Sequence, residues 1–369
     1  METLTLVAVV AVALFFDFTN GFHDTANAIA TSVSTRALSP RTAVLVASVL
    51  NFAGAFVSLK VAATVATGIV DASSVTLSVI LAGLVGAITW NLVTWLLGLP
   101  SSSSHALIGG IAGAAIAADG WSSIQWSGVW EKVVKPGVLS PILGFAIALG
   151  LMLLIIWVIR RRSPSRVNRV FRRAQIVSGS FVAFTHGTND AQKTMGVITL
   201  ALVANGNVDP NDFQVPNWVV ISAATAIALG TYIGGWRIIK TMATRIIKMD
   251  AAQGFAAQGA GATVILASSH FGYPLSTTHV INGGIMGAGA AKRLSAVRWG
   301  IAGNIAIAWV LTLPASAAIG ALVYGITSIF GSGALGPVLV SVALLGVVLA
   351  IFARRFQQGS PITATGAQG

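Results

Sequence analysis

The sequence predicts an all-α integral membrane protein built from two inverted-topology repeats, with broken helices and re-entrant helical hairpins. Three observations lead to this prediction. The composition is too apolar for a surface that faces water, two polar motifs each occur twice in the same order, and the charges of equivalent loops differ between the two halves.

The composition places most of the outer surface in lipid. Of the 369 residues, 55% are hydrophobic and 9% are charged, and the mean hydropathy is +0.83. A soluble domain carries roughly 25% charged residues. The runs Ile142–Ile159 and Leu335–Phe352 approach the roughly 20 apolar residues that span a bilayer. The net charge of +12 comes from basic clusters between apolar segments. Such clusters are topology signals, so no nucleic-acid partner is predicted.

Two motifs indicate an internal duplication. The segment Phe18–Asn27 recurs as Phe184–Lys193, and Pro100–His105 recurs as Pro274–His279. Both motifs keep their order and nearly their separation. We therefore expect a first transmembrane repeat over residues 1–159 and a second over residues 176–330. The two are joined by a basic linker over 160–175 and followed by a transmembrane helix over 331–355 and a flexible tail over 356–369.

The loop charges indicate that the second repeat is inverted. The loop with seven arginines between the repeats is predicted to be cytoplasmic, because Lys and Arg accumulate on that side. After the first motif come Arg36 and Arg41, predicted inside, whereas Asp209 follows its second copy and is predicted outside. Inverted repeats with interrupted helices are typical of secondary transporters, whose site lies near the membrane midplane at the repeat interface. No GxxxxGK[ST] loop is present, and neither ATP hydrolysis nor another enzyme activity is predicted.

The first motif predicts a cation site. A carboxylate within an apolar helix is costly and is by default a functional hypothesis, and Asp24 and Asp190 occupy equivalent positions. A protonated, structural Asp is the alternative. The neighbouring amides supply oxygen ligands for a hard cation such as Na⁺ or Mg²⁺, and Gly21 and Gly187 are expected to let their helices unwind. The predicted coupling-cation or metal site comprises Asn20, Asp24, Asn27, Asn189, Asp190 and Gln192.

The second motif predicts an anion site. Each Pro-led run of hydroxyl residues lies between two apolar segments, which favours a hairpin tip inside the membrane. Irregular backbone at that depth is tolerated in protein or beside a water-filled cavity, and the N–H groups of a helix N-terminus attract anions. Helix capping by the hydroxyls, structural histidines and a snorkelling lysine are the alternatives. The predicted anion site comprises Ser102, Ser103, Ser104, His105, Lys193, Ser276, Thr277, Thr278 and His279.

Residues Gly21–Ala28 and His186–Gly196 resemble the two signature repeats of the Pit-type inorganic phosphate transporters, with the bacterial low-affinity members most similar. The resemblance covers nearly the whole chain. It implies symport of inorganic phosphate with H⁺ or Na⁺, or of a neutral complex of phosphate with a divalent metal. It also implies a homodimer surrounded by lipid in the plasma membrane, of the bacterial inner-membrane type. Many Na⁺-coupled members have Asn where this chain has Lys193, which favours H⁺.

Other functions remain open from the sequence. A sulfate permease of the same fold would prefer a fully ionised anion, and an anion channel would not accumulate its substrate. An intramembrane hydrolase would use Asp24 with His23, but symmetric duplication of the polar sites fits transport better than one-sided chemistry. Moving an anion towards a negative interior costs about 2.3 kcal/mol per charge per 100 mV. Co-transported cations would offset that cost, which is why carboxylates are expected beside an anion site. No cofactor is predicted.

Overall fold

The computed structural model describes residues 2–70, 75–209, 213–331 and 333–357. Within these ranges the chain is helical, with one isolated antiparallel bridge between Val70 and Ile124. The helices are α1 Glu2–Ser34, α2 Pro40–Gly54, α3 Lys60–Thr67, α4 Leu77–Leu97, α5 Ser103–Asp119, α6 Trp126–Val129, α7 Lys135–Ile159, α8 Pro164–Ala204, α9 Asn217–Ile233, α10 Trp236–Lys240, α11 Ala251–Phe271, α12 Thr277–Ala290, α13 Trp299–Ser328 and α14 Leu335–Gln357.

Several helices have the length and composition of membrane spans. In the described part of the chain, four candidates are Thr3–Ser34, Leu77–Leu97, Trp126–Ile159 and Trp299–Ser328. The third joins α6 and α7 through a π-helical turn. Helix α9 and the helix that follows it, bent by 57°, would make a fifth span. The prediction of an all-α chain with apolar helices is confirmed.

The two helices that carry the first motif are continuous, so the expectation that Gly21 and Gly187 unwind them is wrong. Helices α1 and α8 run without a break through both motifs. A Cβ at Gly21 would lie 2.3 Å from the carbonyl oxygen of Ile227, and one at Gly187 would lie 2.1 Å from that of Asn51. Each glycine therefore allows another helix backbone to approach closely, and that close contact is why the position has no side chain.

Helices α1 and α8 cross the core in opposite directions. Just after α1 ends, the carbonyl oxygen of Thr35 accepts a hydrogen bond of 3.0 Å from Arg172, near the start of α8. Further back along α1, Asp24 lies close to His186. At the middle of α1, Asp17 lies beside Thr194, which is late in α8. The two copies of the first motif are thus antiparallel neighbours.

The second motif forms a helical hairpin in each half of the chain. Helices α4 and α5 are separated by residues 98–102, and α11 and α12 by residues 272–276. Gly98 and Gly272 end the first helix of each hairpin with φ of 68° and 77°, the left-handed conformation that glycine adopts readily. The hairpins contact each other at their tips, where the Ser104 hydroxyl donates to the carbonyl oxygen of Leu275 at 3.1 Å.

The outgoing helix of each hairpin packs on the last long helix of the other half. A Cβ at Gly113 in α5 would lie 2.0 Å from the carbonyl oxygen of Ala317 in α13. The equivalent contact places Gly287 of α12 against Phe145 of α7, at 2.1 Å. Both contacts are backbone-close and depend on glycine. The two halves are therefore interlocked around one core.

The segment between the halves is mostly helical. The sequence predicts a loop here, but only four residues separate the end of α7 from the start of α8 at Pro164, so most of the arginines of this segment lie on the first turns of α8. Helix α14 overlaps the C-terminal helix predicted over 331–355. The predicted tail over 356–369 falls, from residue 358, outside the described residues. The division into repeats, linker and tail stays a prediction.

Candidate substrate and cation site

The predicted site residues meet in the buried core between α1, α8 and the two hairpin tips. Asp24, Asn27 and Lys193 are each at most 3% exposed. Among all the predicted site residues the most exposed is His105, at 5%. A soluble protein almost never buries Asp or Lys at this level without a partner. The arrangement is closed to solvent, as an occluded binding site would be.

Asp24 joins the two hairpin tips. The Ser103 hydroxyl donates to its Oδ2 at 2.8 Å, and the Thr278 hydroxyl donates to its Oδ1 at 3.2 Å. The Nδ1 atom of His23 also lies 2.7 Å from Oδ1. Ser103 belongs to the first tip and Thr278 to the second. One carboxylate on α1 thus holds hydroxyl donors from both copies of the second motif.

Asn27 contacts the second tip one helical turn further along α1. Its side-chain nitrogen donates to the hydroxyl oxygens of Thr277 at 3.2 Å and Thr278 at 3.0 Å. The Thr278 hydroxyl thereby accepts from Asn27 while it donates to Asp24. Residues three or four apart share one helix face, and this spacing aims both α1 side chains at the same tip.

Lys193 lies inside the site and does not snorkel to the surface. Its ammonium donates to Asp190 Oδ1 and to the Ser104 hydroxyl, each at 2.5 Å, and to the carbonyl oxygen of Leu275 at 3.0 Å. Ser104 is on the first tip and Leu275 on the second. The side chain is 1% exposed. A positive charge therefore sits at the junction of both tips, balanced by one carboxylate.

A second charged cluster connects α1 with α8. Asp24, His186 and Asp190 each offer one ligand atom, and the three atoms lie within 4.8 Å of one another. His186 Nε2 is 3.1 Å from Asp190 Oδ2, and its Nδ1 is 2.9 Å from the side-chain oxygen of Asn51. That oxygen accepts only, so Nδ1 carries a hydrogen. Nε2 is then free either to bear a proton towards Asp190 or to bind a metal ion.

Four residues of the predicted anion site have other contacts. Ser102 and Ser276 accept from the backbone N–H groups of His105 and His279, at 3.1 and 3.3 Å, which is N-capping. The two imidazole rings lie 4.9 Å apart at 80° to each other, and the ring of His279 packs 4.2 Å from that of Trp309. These contacts favour the capping and structural alternatives for all four residues.

Three residues of the predicted cation site also bind elsewhere or stand apart. The side-chain oxygen of Gln192 accepts from the N–H groups of Val61 and Ala62 at the start of α3, at 2.9 and 3.3 Å. Asn189 donates to Ser269 at 3.0 Å and to a backbone carbonyl oxygen in the second hairpin. Asn20 is buried, but its side chain makes no hydrogen bond to Asp24.

The sequence reasoning missed several core residues. Asp17 is fully buried in α1, and it begins a polar stripe that continues through Asn20 and Asp24 at intervals of three and four. That spacing marks one helix face and was visible in the sequence. Thr94 was not findable in this way, because its contact of 3.1 Å with His23 Nε2 joins residues on different helices.

The comparisons with known proteins agree on one protein family. A model of the phosphate transporter family matches residues 20–320. A protein of Mycobacterium tuberculosis (strain ATCC 25618 / H37Rv), named "Probable low-affinity inorganic phosphate transporter", is 51% identical over 331 residues, 90% of this chain and 79% of that protein. A Rhizobium meliloti (strain 1021) protein with the same name is 54% identical over 320 residues, 86% of this chain and 95% of its own length.

A solved structure agrees with these relatives. A chain described as "The sodium-dependent phosphate transporter" superposes with a TM-score of 0.79 at 26% identity, over 88% of this chain and 99% of its own. The apolar helices fit a membrane protein, and the resemblance noted in the two motifs is confirmed. The chain is therefore a transporter and not an enzyme, and it belongs to the phosphate transporter family.

Proposed function

We propose that this chain imports inorganic phosphate together with H⁺ or Na⁺ by alternating access. The observation that carries the proposal is the meeting of both hairpin tips with Asp24 and Lys193 in one buried site. Hydroxyl donors, an ammonium and two helix N-termini are the groups that hold a tetrahedral oxyanion. The names of the relatives support phosphate as the substrate.

Coupling follows from a competition for hydrogen-bond donors. A hydroxyl has one hydrogen, so Ser103 and Thr278 cannot donate to Asp24 and to an anion at the same time. A cation or proton on Asp24 would remove that acceptor and release both hydroxyls towards phosphate. In the same way, a cation near Asp190 would release Lys193 from its ion pair. The coupling ion would thus prepare the anion site before the anion binds.

The coupling-ion site of this proposal comprises Asp24 and Asp190 with Asn27 and Asn189, whose side-chain oxygen has no hydrogen-bond partner among the described residues. Two carboxylates beside one ammonium leave the site short of positive charge once a phosphate enters. Co-transported cations would supply it. A divalent metal carried as a complex with phosphate is supported by the cluster of Asp24, His186 and Asp190, because carboxylate and imidazole ligands suit such ions.

Alternating access would use the two halves as inverted repeats. Three features of the fold support this: the antiparallel crossing of α1 and α8, the occurrence of one hairpin in each half, and the exchange of packing between each hairpin and the last long helix of the other half. The proposal extends to a homodimer in the plasma membrane, which the family resemblance implies, with the basic start of α8 in the cytoplasm.

The test is uptake of labelled phosphate into proteoliposomes, with the pH gradient and the Na⁺ gradient imposed separately. We expect uphill accumulation driven by one of the two gradients, little competition by sulfate and none by chloride. Empty liposomes and gradient-collapsed vesicles are the controls. Accumulation of sulfate in preference to phosphate would make the chain a sulfate permease. Passive flux without accumulation under either gradient would contradict coupled transport.

A further inference from the structure

A third buried carboxylate, Asp17, lies two helical turns before Asp24 on α1, outside the site described above. Its side chain is 0% exposed, as are those of Asn20 and Thr194. Asp17 lies beside both of these side chains, one on its own helix and one on α8. The three residues are called the Asp17 cluster below.

Asn20 and Thr194 interact with the Asp17 carboxylate through their side chains, but within the described residues no polar atom of the cluster makes a hydrogen bond of ordinary length and angle. This holds for both carboxylate oxygens of Asp17, both side-chain atoms of Asn20 and the hydroxyl of Thr194. Buried polar groups are almost always hydrogen-bonded, and an unpaired buried carboxylate is more costly still. By contrast, Asp24 accepts from Ser103 and Asp190 pairs with Lys193. The polar atoms of the cluster are thus left available to a ligand.

The chemistry of the cluster selects the ligand. Its acceptors are a carboxylate, an amide carbonyl and a hydroxyl, all hard oxygen donors, which favour hard cations over transition metals. A single negative charge suits a monovalent ion, since divalent sites usually combine more carboxylates or keep several waters. A proton on Asp17 would satisfy the same need, because the protonated carboxyl can donate to the Asn20 oxygen.

We propose that Asp17, Asn20 and Thr194 bind one coupling cation, Na⁺ or a proton, at a site separate from Asp24 and the hairpin tips. This inference rests on the proposed function for its role in transport, although the binding itself does not. The ionisable groups on α8 that interact with Asp17 are Asp190 and Lys193. A change of charge at the cluster therefore acts electrostatically on the ion pair between Asp190 and Lys193.

The charge balance of the core explains why this site is needed. Among the described residues, the buried acids are Asp17, Asp24 and Asp190, and the one buried lysine or arginine is Lys193. Phosphate adds further negative charge when it enters. Neutralising Asp17 removes one of the negative charges that act on Lys193, so the ammonium turns more readily to the anion. One cation at the cluster thus links ion binding to phosphate binding without touching the phosphate.

Ion binding is tested first, on the purified full-length protein in detergent without phosphate. The melting temperature is measured over a Na⁺ series at fixed pH, with K⁺ holding the ionic strength, and over a pH series without Na⁺. A ligand that binds only the folded state raises the melting temperature with its concentration. We expect one of the two ions to stabilise the wild type, and Asp17→Asn to lose the part of that response due to this site. Identical ion responses in the two proteins would overturn the proposal.

A matched pair of threonine variants keeps the test decisive if Asp17→Asn fails to fold. Thr194→Val removes the hydroxyl of the cluster, whereas Thr199→Val removes an equally buried hydroxyl on α8 that donates to its own helix at 2.8 Å. We expect Thr194→Val to weaken the ion response by about tenfold in concentration, equivalent to 1.4 kcal/mol, and Thr199→Val to leave it unchanged. Equal behaviour of the two variants would contradict the site.

Transport then separates this inference from the proposed function. In proteoliposomes Asp17→Asn should retain exchange of external labelled phosphate for internal phosphate, which needs no net ion movement, and should lose gradient-driven accumulation. The gradient that no longer drives uptake identifies the ion. If the wild-type protein transported no phosphate at all, the proposed function would be refuted, whereas the ion-binding inference would stand. Normal gradient-driven accumulation by Asp17→Asn would refute the coupling role of the cluster.

Discussion

Ser103→Ala is expected to weaken phosphate binding while leaving the fold intact. The Ser103 hydroxyl donates to Asp24 Oδ2 at 2.8 Å in the structure. In the proposed mechanism it turns to the anion when a cation occupies the carboxylate. Alanine removes that donor, but it keeps the N–H groups at the start of α5. Binding should therefore weaken and not disappear.

The size of the effect follows from the type of bond. A hydrogen bond to a charged group contributes about 1.5–3 kcal/mol, which corresponds to roughly a ten- to hundredfold loss of affinity. The hydroxyl already donates to Asp24 before phosphate binds, so part of the loss is offset in the free protein. We therefore expect a loss near the lower end, at about tenfold. The bulkier Ser103→Leu would fill the space between the tips and block transport.

The adjacent Ser102 supplies the control. Its hydroxyl accepts from the His105 N–H at 3.1 Å and caps α5. Removing an N-cap costs about 1 kcal/mol of stability, so Ser102→Ala should melt earlier and bind phosphate with unchanged affinity. Titration calorimetry and thermal melting on both purified variants measure the two effects. Wild-type affinity in Ser103→Ala would refute the assignment of this hydroxyl to the anion site.

Three further outcomes are expected. Asp190→Asn should abolish phosphate accumulation in proteoliposomes without loss of folded protein, and wild-type uptake would show the carboxylate to be structural. Because the chain has no Cys, Ser165→Cys and Asn207→Cys need no background removal. An impermeant maleimide should label the first only from the cytoplasm and the second only from outside, and labelling of both from one side would contradict inverted repeats. Gly187→Ala should lower the unfolding free energy by about 1–3 kcal/mol. The control is Gly150→Ala, where a Cβ meets nothing within 4 Å, and equal melting of the two variants would contradict close packing at Gly187.

The parts of the architecture that depend on residues close in sequence were predictable. The apolar composition, the repeated motifs and the Pro-led hydroxyl runs each depend on residues close in sequence, and they identified the helical class and both hairpins. The meeting of Asp24 with Ser103 and Thr278 was expected in kind, because equivalent motifs gather near the midplane of such proteins. Their hydrogen bonds, however, join residues on different helices, and no spacing rule gives them.

The structure differs from the sequence-based expectations where tertiary packing decides the contacts of a residue. Glycine in a polar motif was interpreted as a point of helix unwinding, yet Gly187 is small because the backbone of α2 passes beside it. Gln192 is predicted in the cation site because its amide supplies an oxygen ligand, and in the structure that oxygen accepts from backbone N–H groups at the start of α3. Asp17 was overlooked because it lies outside the repeated segment, although it shares the polar face of Asp24.

If the chain is the coupled carrier proposed above, its buried charges also bear on why phosphate would not cross without a cation. A carboxylate taken out of water without a counter-ion costs several kcal/mol, and Asp24 and Asp190 are both essentially inaccessible. If phosphate entered without its cations, its negative charge would add to the charges of Asp24 and Asp190. The hydroxyls of Ser103 and Thr278 would also have to give up their hydrogen bonds to Asp24 in order to donate to phosphate. A closed state that holds phosphate without a cation would therefore be unfavourable for two reasons, charge repulsion and the shortage of hydrogen-bond donors. On the proposed mechanism, that penalty forces ion and phosphate to cross together.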